Sequence, residues 1–271
     1  MGRPAARPPM PPPPLLLLLL ALCSSAGAAD PRDVVRSGVP VSANRSQYYN
    51  QPQATQLGNG GWLLALTNAP YTEGDPRQRV VSVLHPSPDL AVGGWQEPVE
   101  IEAMEWGPSA GWVVPLLAPA LGQPGVGRVY AFYTYNSHNV STVPPGPPST
   151  GAKNVSSPCR CNLVGGQWLR YSDDAGASWS PRQRIPIRVT SIDRGNPWGG
   201  EELQGWTVSK PIVVGGSVVM PFTKVGAYLQ GHDRNWVLTS PNLLTEPNAS
   251  RIQWSVAHAE QPPPSNYALW P

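Results

Sequence analysis

A segment in the second half of this sequence combines charged side chains with aromatic ones. Its charged members are Asp193, Arg194, Glu201 and Lys210, and its aromatic members are Trp198 and Trp206. Charged groups donate or accept hydrogen bonds, and an indole presents a flat apolar face with one N–H donor. Such a combination is a common way to bind a sugar ring. The alternative, which the sequence leaves open, is a surface loop whose charges pair with one another.

Tyr135 and Asn136 form a second candidate pair, because they follow a strongly β-forming run at residues 129–135. The ends of strands and the loops beyond them often carry binding residues. Tyr135 is also explained as a core residue, and this alternative stays open. The four histidines, which are His85, His138, His232 and His258, show no metal-ligand spacing. No zinc motif, phosphate loop or nucleophile elbow is present, so the sequence predicts neither a metal nor a cofactor.

Residues 172–179 follow the pattern Ser-x-Asp-x-Gly-x-x-Trp between two extended runs. Two strands joined by a turn of this composition predict a hairpin. The Ser and Asp side chains can bond to backbone N–H groups, and Gly176 tolerates a left-handed backbone. We therefore expect structural roles for Asp173, Asp174 and Trp179. The pattern is the Asp-box, and it resembles the repeat of sialidases and their relatives, which are β-propellers.

Composition favours an all-β body, since Gly and Pro are abundant (27 and 35 residues) and helix-length amphipathic stretches are absent. Looser versions of the same turn begin at Ser87 and Ser240. Their tryptophans, Trp95 and Trp254, lie 84 residues before and 75 residues after Trp179. The sequence and the resemblance together predict a six-bladed sialidase-like β-propeller, of which residues 30–271 hold about three to four blades. The chain is accordingly expected to be the N-terminal half of a longer protein, or a fragment.

The first 29 residues predict a secretory signal peptide. Arg3 and Arg7 precede the apolar residues 15–22, and small residues at 26–28 suit cleavage. No later segment is apolar enough to span a bilayer. Removal of this peptide leaves 17 basic and 17 acidic residues, so nothing in the charge favours nucleic acid or a membrane surface as a partner. We expect a protein that is secreted or that stays in the lumen of the secretory pathway, and the sequence does not decide its oligomeric state.

Glycosylation sequons agree with export, and they begin at Asn44, Asn139, Asn154 and Asn248. Two or three of them are expected to carry glycans if the chain enters a eukaryotic secretory pathway. Cys159 and Cys161 are too few for a zinc site or a disulfide framework. A bridge between them would close a small ring, and the sequence leaves their redox state open.

Other segments also resemble secreted exo-sialidases. These segments are residues 48–53, 72–79, 127–137, 192–194, 205–211 and 243–246. The resemblance implies three arginines that hold a substrate carboxylate, an acidic acid/base, and a tyrosine nucleophile assisted by a glutamate. This chain departs from the family at the first arginine, because Asn50-Gln51-Pro52 stands in place of Arg-Ile-Pro. The nucleophile and the later arginines belong to blades that this chain lacks.

Glu73 and Asp75 lie about where the resemblance places the acid/base loop, and Arg79 is a candidate contact for an anion. Each has an ordinary alternative as a solvated turn residue or an exposed strand arginine. The sequence thus predicts a secreted glycoside hydrolase of the exo-α-sialidase type that acts on terminal sugars of glycoconjugates. The alternative is a noncatalytic Asp-box propeller that binds glycans, which the missing arginine makes credible. Fold alone does not decide between them.

Overall fold

The computed structural model describes residue 41 and residues 46–102, 108–142, 161–207, 209–226 and 233–257. Several predictions concern residues outside these ranges. They are the signal peptide, the sequons at Asn44 and Asn154, and Cys159, one member of the Cys159 and Cys161 pair.

Within these ranges the regular secondary structure is almost entirely β-strand. The strands are β1 (Tyr48–Gln56), β2 (Trp62–Ala69), β3 (Arg79–His85), β4 (Val99–Glu102), β5 (Ala110–Ala118), β6 (Arg128–Tyr135), β7 (Gln167–Ser172), β8 (Gln183–Arg184), β9 (Gly205–Trp206), β10 (Ile212–Val214), β11 (Ser217–Val225), β12 (Asp233–Ser240) and β13 (Ser255–Ala257). The helical elements are one α-helical turn, α1 (Ser191–Arg194), and two 3-10 turns (Cys161–Leu163 and Ala249–Arg251). The prediction of an all-β body is confirmed.

The strands form three antiparallel sheets that follow the order of the chain. The first sheet contains β1 to β4 and the second contains β5 to β8, each paired in sequence order. In the third sheet, β9 and β10 both pair with β11, so together they take the place of one strand. Each sheet is therefore a meander with four strand positions, in which β9 and β10 share one position of the third sheet. Four-stranded sheets are the units of β-propellers. The six-blade count stays a prediction.

Consecutive sheets pack face to face, and β6 shows why. All eight of its residues are buried, as expected for a strand that is covered on both faces. Val129 and Tyr133 belong to a core cluster that also contains Leu63 of the first sheet. Phe132 belongs to a second core cluster, together with Phe222 of the third sheet. Side chains of β6 point alternately to its two faces. The strand therefore contributes both to the core that it shares with the first sheet and to the core that it shares with the third sheet.

The three predicted turns occupy the same place in the three sheets, between the third and the fourth strand. In the 172–179 turn, Ser172 Oγ accepts from the backbone N–H of Gly176 at 2.7 Å, and Asp174 Oδ1 accepts from that of Ser178 at 2.9 Å. Gly176 has φ +89°, and a Cβ there would meet Leu63 of the first sheet. The turn is thus both locally bonded and seated on the neighbouring sheet.

The described residues contain no helix that is long and apolar enough to cross a membrane.

Candidate functional site

Strand direction sorts the connections between strands into two ends. The 172–179 turn and its two counterparts lie at one end, since each follows the third strand of its sheet. The β2–β3 and β6–β7 connections, and the links from one sheet to the next, lie at the other. We call this second end the loop end. It collects the loops that hold most of the candidate residues.

Two strained residues mark the first strands of the first two sheets. Gln51 in β1 has φ +53° and Trp112 in β5 has φ +61°. Both lie at a β-bulge, where the pairing register shifts between Asn50 and Gln53 and between Gly111 and Val114. Left-handed backbone at non-glycine residues is costly and often marks functional sites, and bulges redirect side chains. The first strand of the third sheet is interrupted at the corresponding place, between β9 and β10.

Hydrogen bonds to Thr67 join the two bulges. The backbone N–H of Trp112 donates to Thr67 Oγ1 at 3.1 Å, and Thr67 Oγ1 donates to Gln51 Oε1 at 3.1 Å. Thr67 is fully buried and pairs with Asn50 in the β1–β2 register. One buried hydroxyl therefore fixes the relative position of Asn50, Gln51 and Trp112.

Trp112 also contacts the third sheet. Its ring centroid lies 5.7 Å from that of Trp206, with an interplanar angle of 33°. Both indoles are half-buried, so each keeps some surface that solvent reaches. We call these two residues the tryptophan pair. They combine an apolar surface with polar edges, which is the usual composition of small-molecule sites.

Two buried polar atoms beside this pair have no hydrogen-bond partner among the described residues. They are the acceptor Oδ1 of Asn50 and the donor Nε1 of Trp112. Such atoms are rare in folded proteins, because each costs about 1–3 kcal/mol when left unpaired. Ligand or water groups that donate to the first and accept from the second would satisfy them.

The β2–β3 loop holds the predicted acidic residues. Asp75 is buried and accepts from the backbone N–H of Arg77 at 2.9 Å and from its guanidinium at 3.1 and 3.2 Å. Burial alone would raise the pKa of Asp75, but the Arg77 hydrogen bonds and charge outweigh it, and the pKa lies below its ordinary value. A carboxylate held ionised in this way is suited to fixing the loop rather than to donating a proton. Glu73 is half-buried, which leaves it the better candidate for a proton donor.

Gln78 fastens this loop to β5. Its Oε1 accepts from the backbone N–H of Gly74 at 2.9 Å, and its Nε2 donates to Ala110 O at 3.3 Å. A Cβ at Gly111 would overlap Gln78 Nε2, so any larger residue there would displace the Gln78 amide. Gln78 thereby fixes the loop that carries Glu73 relative to the strand that carries Trp112, both at the loop end.

Arg79 is already engaged in the first sheet. It donates from Nε to Asn68 Oδ1 at 2.7 Å and forms an ion pair with Glu100. To bind an anion it would have to exchange this partner. The role of Arg79 as an anion contact stays a prediction.

Tyr135 and Asn136 are both buried. The Tyr135 ring packs edge-on against Trp168 at 5.6 Å and lies 4.3 Å from the Arg182 guanidinium, and burial raises its pKa. Asn136 closes its own loop, since its amide bonds to the backbone N–H and C=O of Val140 at 2.9 and 2.8 Å. These contacts favour the core interpretation of Tyr135 and a loop-closing role for Asn136.

The charged segment of residues 193–210 is divided by the structure. Asp193 is 0% exposed, lies in α1, and accepts from Lys224 Nζ at 2.5 Å and from Thr190 N and Oγ1 at 2.7 and 2.8 Å. Arg194 and Glu201 are exposed. Asp193 therefore positions this loop, and Arg194 and Glu201 remain available to solvent.

Lys210 and Trp206 lie near the first strands. The Lys210 ammonium donates to Ala54 O of β1, which links the third sheet to the first. Trp206 belongs to the tryptophan pair. Trp206 is thus the one predicted residue that the structure places in the candidate site. The other members of this site are Asn50, Gln51, Thr67 and Trp112.

Sequence reasoning missed Trp112, although one signal was available. Gly111-Trp112 and Gly205-Trp206 repeat the same dipeptide in the first strands of consecutive sheets. Sequence reasoning also missed Glu102, a buried carboxylate that accepts from Arg170 at 3.1 Å, Arg182 at 2.6 Å and the Tyr133 hydroxyl at 2.7 Å. This network joins the first two sheets, and its members were not visible as a motif.

Among the described residues no group of His, Cys, Asp and Glu could hold a metal ion. The described part of the site consists of aromatic faces, amides, hydroxyls and the acidic loop.

No family model and no curated protein matches this sequence. Solved structures do match. A protein of unknown function from Dyadobacter fermentans is 17% identical, with a TM-score of 0.54 over 81% of this chain and 56% of that one. A Hadza microbial sialidase is 13% identical, with a TM-score of 0.45 over 77% of this chain and 37% of its own. A family 117 glycoside hydrolase from Zobellia galactanivorans is 14% identical, with a TM-score of 0.44 over 75% and 56%.

The likeness to the Dyadobacter protein shows a shared fold alone. The chain spans about half the length of the solved structures it matches. Several of these structural neighbours are glycoside hydrolases, and sialidases are among them.

Proposed function

We propose that this chain is part of a secreted glycoside hydrolase with a sialidase-like six-bladed propeller, which removes terminal sugars from glycoconjugates. The tryptophan pair carries the proposal. It lies at the loop end, where Trp112 occupies a strained bulge and its own indole N–H is unpartnered, and Asn50 on the bulge of the preceding sheet has an unpartnered acceptor. A sugar ring supplies both an apolar face and hydroxyl groups, so it matches this surface in both respects.

The acidic loop supplies the hydrolytic element of the proposal. Glycosidic cleavage needs a proton donor at the leaving oxygen and a nucleophile or base across the ring. Glu73 is proposed as the proton donor, because Asp75 is committed to Arg77. Exo-α-sialidase is the activity that the sequence resemblance implies, and it is the first to be assayed.

One observation favours a second candidate, glycan binding without catalysis. Asn50 occupies the place where the resemblance implies an arginine, and Arg79 is paired with Glu100. Neither position therefore supplies a free guanidinium group to the tryptophan pair. A propeller that only binds glycans needs the tryptophan pair but not Glu73.

The test of the proposal is glycan binding by the full chain, measured by isothermal titration with a panel of oligosaccharides. Trp206→Ala is expected to weaken binding at least tenfold while the melting temperature stays within a few degrees. Leu90→Ala is the matched control, because Leu90 is exposed in the β3–β4 turn at the opposite end. Equal binding by wild type and Trp206→Ala would remove the basis of the proposal.

A further inference from the structure

We propose that the tryptophan pair and Asn50 form a subsite for an uncharged pyranose ring, and that a carboxylate-bearing sugar is excluded from it. This inference rests on the proposed function, because it names the class of sugar that the site takes. It departs from the sialic acid substrate that the sequence resemblance implies.

The hydrogen-bonding atoms of the subsite select a hydroxyl group. Asn50 Oδ1 accepts only, and Trp112 Nε1 donates only. Ring hydroxyls can donate to the first and accept from the second, directly or through water. A carboxylate has no proton to donate, so it would face the Asn50 oxygen with a like partial charge and leave it unpaired. A ligand that leaves a buried polar group unpaired binds with a less favourable free energy. This loss allows the subsite to discriminate between a hydroxyl group and a carboxylate.

Three of the described cations are committed elsewhere. Arg77 holds Asp75 and Arg79 holds Glu100. Lys210 donates to Ala54 O, four residues further along β1 than Asn50, which is about 13 Å on an extended strand. Neither of these two arginines is thus free to supply the guanidinium fork that suits a carboxylate.

The aromatic surface fits the same class of ligand. The indoles of Trp112 and Trp206 meet at 33° rather than in parallel, and both remain half-buried. Their exposed surface can cover the apolar side of a pyranose while the polar atoms beneath reach its hydroxyls. A neutral ring loses little hydration there, whereas a charged group would lose much more.

The experiment compares neutral and sialylated forms of the same oligosaccharides, titrated into the full chain at 50 and 500 mM NaCl. Neutral forms are expected to bind at least tenfold more tightly, with less than a twofold change between the two salt concentrations, since screening acts only on charged pairs. Asn50→Ala is expected to weaken binding of neutral forms at least fivefold. Asn50→Arg, which adds a cation, is expected to reverse the preference.

The results of this experiment distinguish failure of the inference from failure of the proposed function. Tighter binding of the sialylated forms, weakening with salt, would overturn this inference and leave the proposed function intact. Binding of neither form would contradict the proposed function itself. Neutral binding that Asn50→Ala and Trp112→Phe both leave unchanged would place the sugar elsewhere on the molecule and overturn the inference. If Asn50→Arg fails to fold, the salt dependence of the wild type and the Asn50→Ala result still decide.

Discussion

The indole Nε1 of Trp179 donates a hydrogen bond to the hydroxyl of Ser82, 3.3 Å away on the neighbouring sheet. The two residues are 97 positions apart in the sequence. Trp254 repeats the relationship one sheet later, since its ring meets Phe132 of β6 edge-on at 6.1 Å. The turn after the third strand of one sheet thus anchors that sheet to the preceding one.

Trp179→Ala is expected to lower the free energy of unfolding by about 3 kcal/mol, because it removes a large aromatic side chain from the contact between two sheets. Trp179→Phe retains most of the packing and should cost only about 1 kcal/mol for the lost hydrogen bond. Urea unfolding followed by circular dichroism measures both. Equal stability of Trp179→Ala and the wild type would contradict the anchoring role.

The buried pair of Lys224 and Asp193 predicts strong non-additivity. Lys224→Met should cost about 3–5 kcal/mol, because it leaves the Asp193 carboxylate buried without its cation. The double variant Lys224→Met/Asp193→Asn removes both charges and keeps an acceptor for Thr190, so it should recover part of this loss. A double-mutant cycle in urea measures the coupling. Additive effects would show that the two charges do not depend on each other.

Two carboxylates predict a loss of stability in acid. Burial opposes ionisation of Asp174, yet the hydrogen bonds from Ser178 and Ser172 outweigh it and lower its pKa below 3.8, as Arg77 does for Asp75. A depressed folded-state pKa gives stability that is present above the unfolded value and lost as pH falls through the folded value. Stability should therefore be flat above about pH 5 and should fall below pH 3.8.

Asp174→Asn is the matched variant for this acid transition. It is expected to lower stability at pH 7 and to flatten the decline below pH 3.8. Thermal melts from pH 2.5 to 7 provide the measurement. A decline that the variant leaves unchanged would assign the acid sensitivity to other groups.

Glu73 and Asp75 are expected to differ in kinetics. Loss of a general acid costs about 10²–10⁴-fold in rate, so Glu73→Gln should lower kcat at least 100-fold with an unchanged melting temperature. Asp75→Asn should lower kcat less and lower the melting temperature more, because it releases Arg77. The assay uses fluorogenic sialosides and neutral glycosides. The opposite ranking would assign the acid to Asp75, and no turnover by the wild type would favour the binding protein.

Local patterns in the sequence were sufficient to predict the turns but not the site. The Ser172, Asp174 and Gly176 contacts lie within five residues, so composition and spacing determine them. Trp112 and Trp206 come together only because the first strands of the second and third sheets lie close in the fold, which no local pattern encodes. The same holds for Glu102 and its two arginines, whose partners lie 68 and 80 residues away.

Burial explains why the charged segment was only partly predicted. Asp193 looks like an exposed loop residue in sequence, and its partner Lys224 occurs 31 residues later in an apolar strand. An isolated lysine in such a strand was the available signal, since a buried lysine requires a carboxylate. Arg194 and Glu201, in contrast, are exposed as a surface loop predicts.

The central claim is that glycans contact the tryptophan pair, and the indole N–H signals of the protein test it most directly. In an ¹⁵N-labelled full chain, the Trp112 Nε1–H signal is assigned through Trp112→Phe and followed during titration with a neutral oligosaccharide. The account predicts that this signal moves downfield as its unpartnered N–H gains an acceptor, and that the Trp206 signal moves with the same affinity. The Trp179 signal, already bonded to Ser82, should stay in place. Saturable binding that leaves the Trp112 and Trp206 signals unmoved would contradict the account.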